Sequence, residues 1–498
     1  MSITGPGSIT AANIQAVNNM NNQLSTLSEE LGTGQAAQTY SGLGSQAGLA
    51  LSLNQQLAAI TAYSNTATTA GTTLTVAQSV LSQLDGSRTS VIQAVGQQGT
   101  FALNGNGQTT TQAAAASQLG EILSLLNTQV GNNYIFSGSA TTTPSVASSD
   151  DILNGNGAQA GLVQVINERA QADLGTGSGR LVVGGSGSSV SLADDSATSP
   201  FGFKVSSITS NLTGATVTSS SPPSVAVNLG SNPNDGDTIS FGLTLPDGSS
   251  QTITLQATTD SPPGANQFTI GANANATAAN LQTALSSAIS GLAQTALPAA
   301  SAIAAANDFF NSNPPLRVSG TPATSTSLVA GTSANTVFWY TGESGATPAL
   351  QTALAQVGPS TTIAYGMRAN EQAIASLVAS VAVLASTSYS ASDPNAQTNY
   401  DALSQKAAAN LDGQPGTQQI SDIESDLVNA QTTMSNATSL NTQTQTTLTG
   451  MMQSIDGVNQ NQIGEQILTL QNSLSASLSV TARLAQLSLV NYLAPSTG

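Results

Sequence analysis

From Ser421 to Tyr492 the chain contains no proline. Toward the end of that run Ile463, Ile467, Leu470, Leu474 and Leu478 recur at spacings of 4, 3, 4 and 4, the pattern of a coiled-coil-like seam. Ser421 and Glu424 have the S-x-x-E spacing of a capping box, which predicts a helix start there. A nearly continuous helix over this run would reach roughly 110 Å at about 1.5 Å per residue. A compact domain cannot enclose such a rod. It must lie along another long helix, in the same chain or in a neighbour.

The other end of the chain offers a partner. Ile14, Val17, Met20, Leu24, Leu27 and Leu31 step by three or four, with Asn, Gln, Ser and Glu between them. GTG at 32–34 and YSGLG at 40–44 interrupt the pattern. Leu49, Leu53, Leu57, Ile60, Leu74, Leu81 and Leu84 then predict one long helix over 45–95, ended by GQQG at 96–99 and LNGNG at 103–107. A third helix is predicted over about 110–130, with Leu119, Ile122, Leu126 and Val130 on one face and Gly131 as its C-cap. Tyr134 and Phe136 then alternate with Ile135 and Ser137, as in a short strand or hairpin leg, before turn signals at Gly138 and Pro144.

The middle, from about 145 to 340, is dense in Gly, Pro, Ser and Thr, and its helical periodicity fades. Residues 237–259 predict a β-hairpin: two alternating runs flank PDGSS, where Pro presets φ and Gly accepts positive φ. An Ala-rich helix is predicted over 275–307, an amphipathic one over Met367–Ala385, and a turn with a helix start at DPNA, 393–396. The two LNGNG stretches are turn chemistry and not a solenoid repeat. The expected fold is therefore α+β: a long antiparallel helical rod built from both chain ends, with a β-rich insertion between them. Its expected regions are 1–44 plus 450–498, terminal coiled-coil assembly helices; 45–145 plus 340–449, a helical rod domain with a short hairpin; and 146–339, a variable insertion of one or two subdomains (about 146–220 and 221–339).

Composition removes several functions. Only 7% of residues are charged, against about 25% in ordinary chains, and the net charge is −17. No basic patch can neutralise phosphates, and no polybasic segment can hold an anionic membrane surface. No apolar run reaches the roughly 18 residues of a membrane span, and MSITGPGSIT lacks the basic start and apolar centre of a cleaved signal peptide. Cysteine and histidine are absent, which removes disulfides, thiol nucleophiles, Cys/His zinc sites and the commonest general base.

The remaining candidate sites have plain readings. Asp150–Asp151 and Asp194–Asp195 lack a third ligand at suitable spacing and read as solvated loops. NPNDGD at 232–237 lacks the distal Glu of a calcium loop and reads as a turn. The glycine-rich stretches between 175 and 188 lack the Lys-Ser/Thr ending of a phosphate loop. A Ser–Lys pair would need Lys204 or Lys406, neither in a recognisable motif. No catalytic, cofactor or metal residues are expected. The aromatic clusters around Tyr134 and Phe136, and around Phe338, Trp339 and Tyr340, are expected to clamp the rod domain beneath the insertion, since buried rings mostly serve packing; assembly contacts are the alternative.

Several stretches resemble bacterial flagellin and its relative, the hook–filament junction protein (hook-associated protein 3) family. LSTLSEELGTGQ, from Leu24 to Gln35, resembles that family's N-terminal helix with its break, and residues 40–57 resemble the helix that follows. Tyr134–Gly138, YIFSG, is similar to a Y-L-F-S-G stretch typical of the junction protein. VFWYTGE, YGMRANEQAI at 365–374 and the last helix, 473–493, with its NYL ending, also resemble these proteins. The resemblance covers about the first 145 and the last 160 residues, and Arg88 is the only cation before residue 169, where the family's first helices commonly carry more.

It implies a structural, non-enzymatic subunit of the extracellular flagellum, exported unfolded through the flagellar type III channel without a cleaved signal peptide, and assembled for motility. The implied partners are copies of itself, other axial proteins (hook-associated protein 1 and flagellin) and an export chaperone, with no nucleic acid and no membrane. The junction subunit is the first expectation, filament flagellin the second, and an extracellular adhesin the alternative of another class. Thin apolar stripes bury too little area to hold lone helices, so the ends are expected to order as like subunits associate.

Overall fold

The computed structural model describes residues 6–97, 101–220, 223–413 and 415–492, with the side chains of 6–10, 220, 484 and 487–492 excepted. The part of the GQQG stretch beyond Gln97, the side chains of Asn491 and Tyr492, and Leu493 lie outside these. Helices α1 (Pro6–Thr33), α2 (Ala47–Gly96) and α3 (Thr110–Leu126) lead into a small hairpin, β1 (Gln129–Val130) and β2 (Asn133–Tyr134). Helices α4 (Ser149–Asn154) and α5 (Leu162–Leu174) follow. Eight strands come next: β3 (Leu181–Gly184), β4 (Ser189–Asp194), β5 (Lys204–Ser210), β6 (Ala215–Ser220), β7 (Ser224–Leu229), β8 (Thr238–Thr244), β9 (Ser250–Thr258) and β10 (Gln267–Thr269). The long helix α6 (Ala274–Phe310) precedes two further hairpins, β11 (Leu316–Val318) with β12 (Leu328–Ala330) and β13 (Leu354–Gln356) with β14 (Thr362–Ala364). Helices α7 (Gln372–Ser386), α8 (Ala396–Asp412), α9 (Ile420–Asp456) and α10 (Gln460–Tyr492) complete an α+β architecture.

The chain forms two compact units, 1–69 with 356–363 and 432–498, and 70–355 with 364–431. In the first, α1 packs along α10, and the α2 residues Leu53, Leu57, Ile60 and Tyr63 pack with Leu448, Met452 and Ile455 of α9. Asn441 is buried on α9 and donates from Nδ2 to the Val357 carbonyl at 2.9 Å, which satisfies the loop between β13 and β14.

The second unit holds the larger core. One sheet runs β3-β4-β7-β6, wholly antiparallel, and the other β10-β9-β8-β5, with only β10 parallel to its neighbour. Leu192, Val227, Phe241, Leu243, Leu255 and Phe268 from the sheets close over Leu281, Leu285 and Ile289 of α6. The β8–β9 hairpin forms where PDGSS predicts it. Gly248 sits at φ +83°, a conformation that suits glycine. Asp247 Oδ1 accepts from Ser249 N–H and Oγ. Farther along, α6 is buried nearly all round over Ala299–Ala306, against α5, α7 and α8. It is the one described helix long and apolar enough to cross a membrane, and its apolar residues serve this core.

Five local expectations change. Helix α3 stops at Leu126, because Asn127 exchanges two side-chain bonds with the Val146 backbone, both at 3.0 Å. Gly131 (φ +65°) is therefore the turn glycine of the β1–β2 hairpin and not a helix C-cap. Helix α7 is not amphipathic: nearly every residue from Ala373 to Ala385 is buried, as an all-round apolar helix requires. Helix α9 begins at Ile420, so Ser421 is already inside it. The reciprocal cap is made instead by the Asp422 carboxylate, which accepts from Gln419 N–H at 2.8 Å. Finally, the proline-free run is two helices, broken at Gly457–Asn459.

Candidate assembly surface and the three-segment joint

The break at Gly457 meets the break at GTG. Gln35 and Gly457 form an antiparallel bridge. Ala36 N–H donates to the Asp456 carbonyl at 2.6 Å, and Val458 N–H to that of Gly34 at 3.2 Å. Both places where the terminal helices stop are thus tied to each other, and α1 and α10 leave the tie as an antiparallel pair.

Along that pair Val17, Met20, Leu24 and Leu27 of α1 are half-buried, while Ile14 and Leu31 are exposed. On α10 Ile463 is buried, and Ile467, Leu470 and Leu474 are half-buried. The row then continues through Ser477 and Thr481, both half-buried, at steps of 3 and 4. Leu478, one residue off that row, is 50% exposed, and Leu468 and Val480 are exposed as well. Two helices cover one stripe of each other and leave the flanks open, so large aliphatic side chains face outward on both. A groove of about 850 Å³ runs between the helices, lined by Leu27 and Leu470 with Asn22, Gln23, Gln466 and Thr469 among others. The first unit carries as charged side chains only Glu29, Glu30, Asp456, Glu465 and Arg483. Like copies can therefore approach this face with little charge to desolvate.

In the second unit three separate stretches of sequence converge. The YIFSG segment runs between Met367–Ala369 and Glu343. Ala369 N–H donates to the Phe136 carbonyl at 2.8 Å, Gly138 N–H to Met367 at 3.0 Å, and Glu343 N–H to Ser137 at 3.0 Å. Arg368 pairs with Glu343 at 2.8 Å. Ser139 N–H donates to the same carboxylate, whose pKa is held below the usual carboxylate range by that bond first.

The predicted clamp residues divide here. Phe136 and Trp339 are fully buried, Tyr340 is buried, and Tyr134 and Phe338 are half-buried. Trp339 stacks edge-on against Phe310 at 5.3 Å, tilts against Tyr340 at 6.2 Å, and donates from Nε1 to the Phe310 carbonyl at 2.9 Å. Burial pushes the Tyr340 hydroxyl up to about 12. Tyr134 and Phe136 join this region by backbone bonds; no ring contact links them to Trp339 among the described residues. Sequence reasoning missed Phe309 and Phe310, whose only signal was an aromatic pair ending an Ala-rich helix. It also missed a second aromatic group, Phe101, Tyr389 and Tyr400, with centroids 5.8–6.5 Å apart.

The scarce cations are placed for structure. Among the described residues seven of the eight form ion pairs, all in the second unit; Arg483 does not. Arg169 joins Asp173 and Asp308, and its guanidinium lies 5.2 Å from the Phe201 ring centre. Desolvation raises the pKa of both carboxylates against the pull of Arg169. Lys406 donates from Nζ to Asp247 and to Ser249 Oγ, each at 2.6 Å, which pins the β8–β9 turn to α8. A lysine does reach a serine here, with its Nζ as donor to both the Asp247 carboxylate and Ser249 Oγ.

The paired aspartates are engaged locally. Ser148 Oγ accepts from Asp151 N–H and donates to its carboxylate, Asp150 accepts from Asn154, and Asp194 and Asp195 pair with Lys204 and Arg180. In NPNDGD the Asp237 carboxylate accepts from Thr213 and Asn234 N–H, which lowers its pKa and closes the turn. Among the described residues no group of three or more acids is arranged to hold a metal.

No curated protein matches the chain. Residues 8–141 match the family model of the bacterial flagellin N-terminal helical region. These residues comprise α1, α2, α3, the β1–β2 hairpin and the YIFSG segment. Over residues 8–141 the chain is therefore similar to the bacterial flagellin family, whose members are structural, non-enzymatic subunits that are exported and self-polymerise into the extracellular flagellum.

Proposed function

We propose that this flagellar subunit joins like copies through the exposed flanks of α1 and α10, and that its station is the hook–filament junction. The observation that carries the assembly reading is the one-stripe seam: Val17, Met20, Leu24 and Leu27 meet Ile463, Ile467, Leu470 and Leu474, while Ile14, Leu31, Leu468, Leu478 and Val480 remain open on either side. Apolar side chains arranged this way gain burial only from further helices. Residues 1–44 with 450–498 act as the assembly region in this reading, 45–145 with 340–449 as the helical rod domain with its short hairpin, and 146–339 as the variable insertion.

The junction assignment is supported by YIFSG and its partners, VFWYTGE and YGMRANEQAI, which the fold draws together. On this reading the subunit contacts hook-associated protein 1 on one side and flagellin on the other. An export chaperone covers the α10 face before secretion. The size of the insertion, with its two four-stranded sheets, favours filament flagellin as the second reading.

Deleting the gene and imaging the cells separates the two. A junction subunit's loss leaves hooks without filaments and flagellin in the medium. Short, altered or missing filaments on intact junctions would show the filament subunit instead.

A further inference from the structure

The sheet β10-β9-β8-β5 is one strand short along part of its edge. Strand β9 pairs with β8 from Ser250 to Gln256, but with β10 only from Gln256 to Thr258. From Gln251 to Leu255 its outer edge has no backbone partner among the described residues. Facing this edge is α6, whose Ala284, Ala288 and Leu292 are partly buried beside the core and whose Thr283 and Ser287 are exposed. The loop at Pro263–Asn266 closes one end. The result is a groove of about 880 Å³ with a bare strand edge as one wall, a helix of small residues as the other, and no charged side chain in its lining.

The same unit carries a strand with the opposite property. In the sheet β3-β4-β7-β6, β6 is an edge strand, paired only with β7. Thr216, Val217, Thr218 and Ser219 are all exposed, so neither face of the strand is covered, and their outer edge has no backbone partner among the described residues. Open edges of soluble proteins are normally guarded by Lys, Pro or an inward charge. Within β6 there is none, and no charged residue occurs from Val205 to Asn234 in a unit that is otherwise acidic. At about 3.3 Å per residue the six residues of β6 span about 20 Å and the five open residues of β9 about 17 Å.

We propose that β6 of one copy enters the β9–α6 groove of a second copy, completing its sheet by strand addition. One face of the incoming strand meets Ala284, Ala288 and Leu292, while the other stays with solvent. Each copy offers both a strand and a groove, so the contact joins unlike surfaces, and the rotation between copies decides whether it closes on itself or runs on as an array. It is a second contact between subunits, independent of the terminal helices. Both surfaces are neutral, so they are where two acidic bodies meet with least repulsion.

The absence of cysteine makes the test direct, since every disulfide reports only on introduced residues. Full-length chains carrying Thr216→Cys or Thr218→Cys are mixed with chains carrying Thr252→Cys or Thr254→Cys, oxidised, and separated without reductant. The expected result is a mixed disulfide dimer in at least one pairing, about ten-fold above that formed with Val329→Cys, which is exposed on β12. No excess in any pairing overturns the proposal. Ser287→Arg, which fills the groove from the exposed side of α6, is expected to reduce the cross-link to the Val329 level. An unchanged yield in a folded Ser287→Arg chain overturns the groove as the receptor. The readout is a bond between copies and not filament growth, so failure of the terminal-helix reading leaves it interpretable.

Discussion

Gln35 and Gly457 lie opposite one another as a single antiparallel bridge, between the end of α1 and the start of α10. The bridge works because two glycines let the backbones through. Gly34 holds φ +70°, and a Cβ on Gly457 would come within 2.3 Å of the Gln453 carbonyl oxygen. Gly34→Ala is expected to cost about 1–2 kcal/mol from the left-handed conformation alone. Gly457→Ala should cost more, because the atom it meets is backbone and cannot swing aside. Limited proteolysis between residues 33 and 47 and between 456 and 460 checks this. Cleavage should accelerate in both variants, more in the second, and unchanged cleavage would show that the tie does not hold these ends.

Leu470 and Leu478 should separate folding from assembly. Leu470 lies in the α1–α10 seam and Leu478 lies beside it, half exposed in the single chain. Leu478→Asp is expected to leave the unfolding of the isolated chain within about 0.5 kcal/mol of the parent, as surface changes do, while abolishing polymer growth on seeds. Leu470→Asp should lower both helicity and growth. Light scattering with circular dichroism on the same samples decides, and normal seeded growth of Leu478→Asp would remove that flank from the interface.

Trp339 holds the end of α6 against the joint formed by YIFSG and its partners. Trp339→Ala removes its ring from Phe310 and Tyr340 and leaves the buried Phe310 carbonyl without its Nε1 donor. A loss of about 3–5 kcal/mol is expected for an aromatic truncation of this kind. Trp339→Phe keeps most of the packing but not the donor, and should lie between the two. Urea unfolding, followed by circular dichroism because the substitution removes the only Trp, measures both.

How much of this could be read from the residues follows from what each signal depends on. The α2 and α6 helices and the β8–β9 hairpin were legible because long periodic runs and PDGSS are local signals. Gly131 was misassigned because a helix C-cap and a hairpin turn both favour positive φ, and only the bonds of Asn127 to Val146 decide between them. Leu478 fitted the seam by spacing alone. The seam shifts to Ser477 and Thr481 because a straight helix drifts against a 3.5-residue repeat, and two small polar residues at those positions hide the shift. YIFSG, VFWYTGE and YGMRANE stood out singly. Their meeting is set by backbone bonds between residues more than two hundred positions apart, for which no pattern in one sequence stands.

The buried cluster of Arg169, Asp173 and Asp308 gives a pH dependence with a definite sign. Asp173 has no exposed surface, and desolvation raises its pKa above the ordinary value of 3.8, opposed by Arg169 and by the Gly202 N–H at 2.8 Å. Asp308, also raised, shares the same guanidinium. A carboxyl whose folded pKa is raised binds more protons folded than unfolded in the window between the two values. Its contribution is therefore fully present below the unfolded pKa and is lost as pH rises through the folded one. Asp173→Asn keeps an acceptor for Gly202 N–H and removes the titration. The urea midpoint of the parent relative to Asp173→Asn is expected to rise as pH is lowered from neutrality toward the ordinary aspartate range. Comparison with the variant cancels the opposite trends of Asp237 and Glu343, whose pKa values are lowered by backbone hydrogen bonds. A difference that stays flat, or that shrinks on acidification, would mean that Asp173 keeps its ordinary affinity for protons in the fold, with Arg169 and Gly202 fully offsetting its burial.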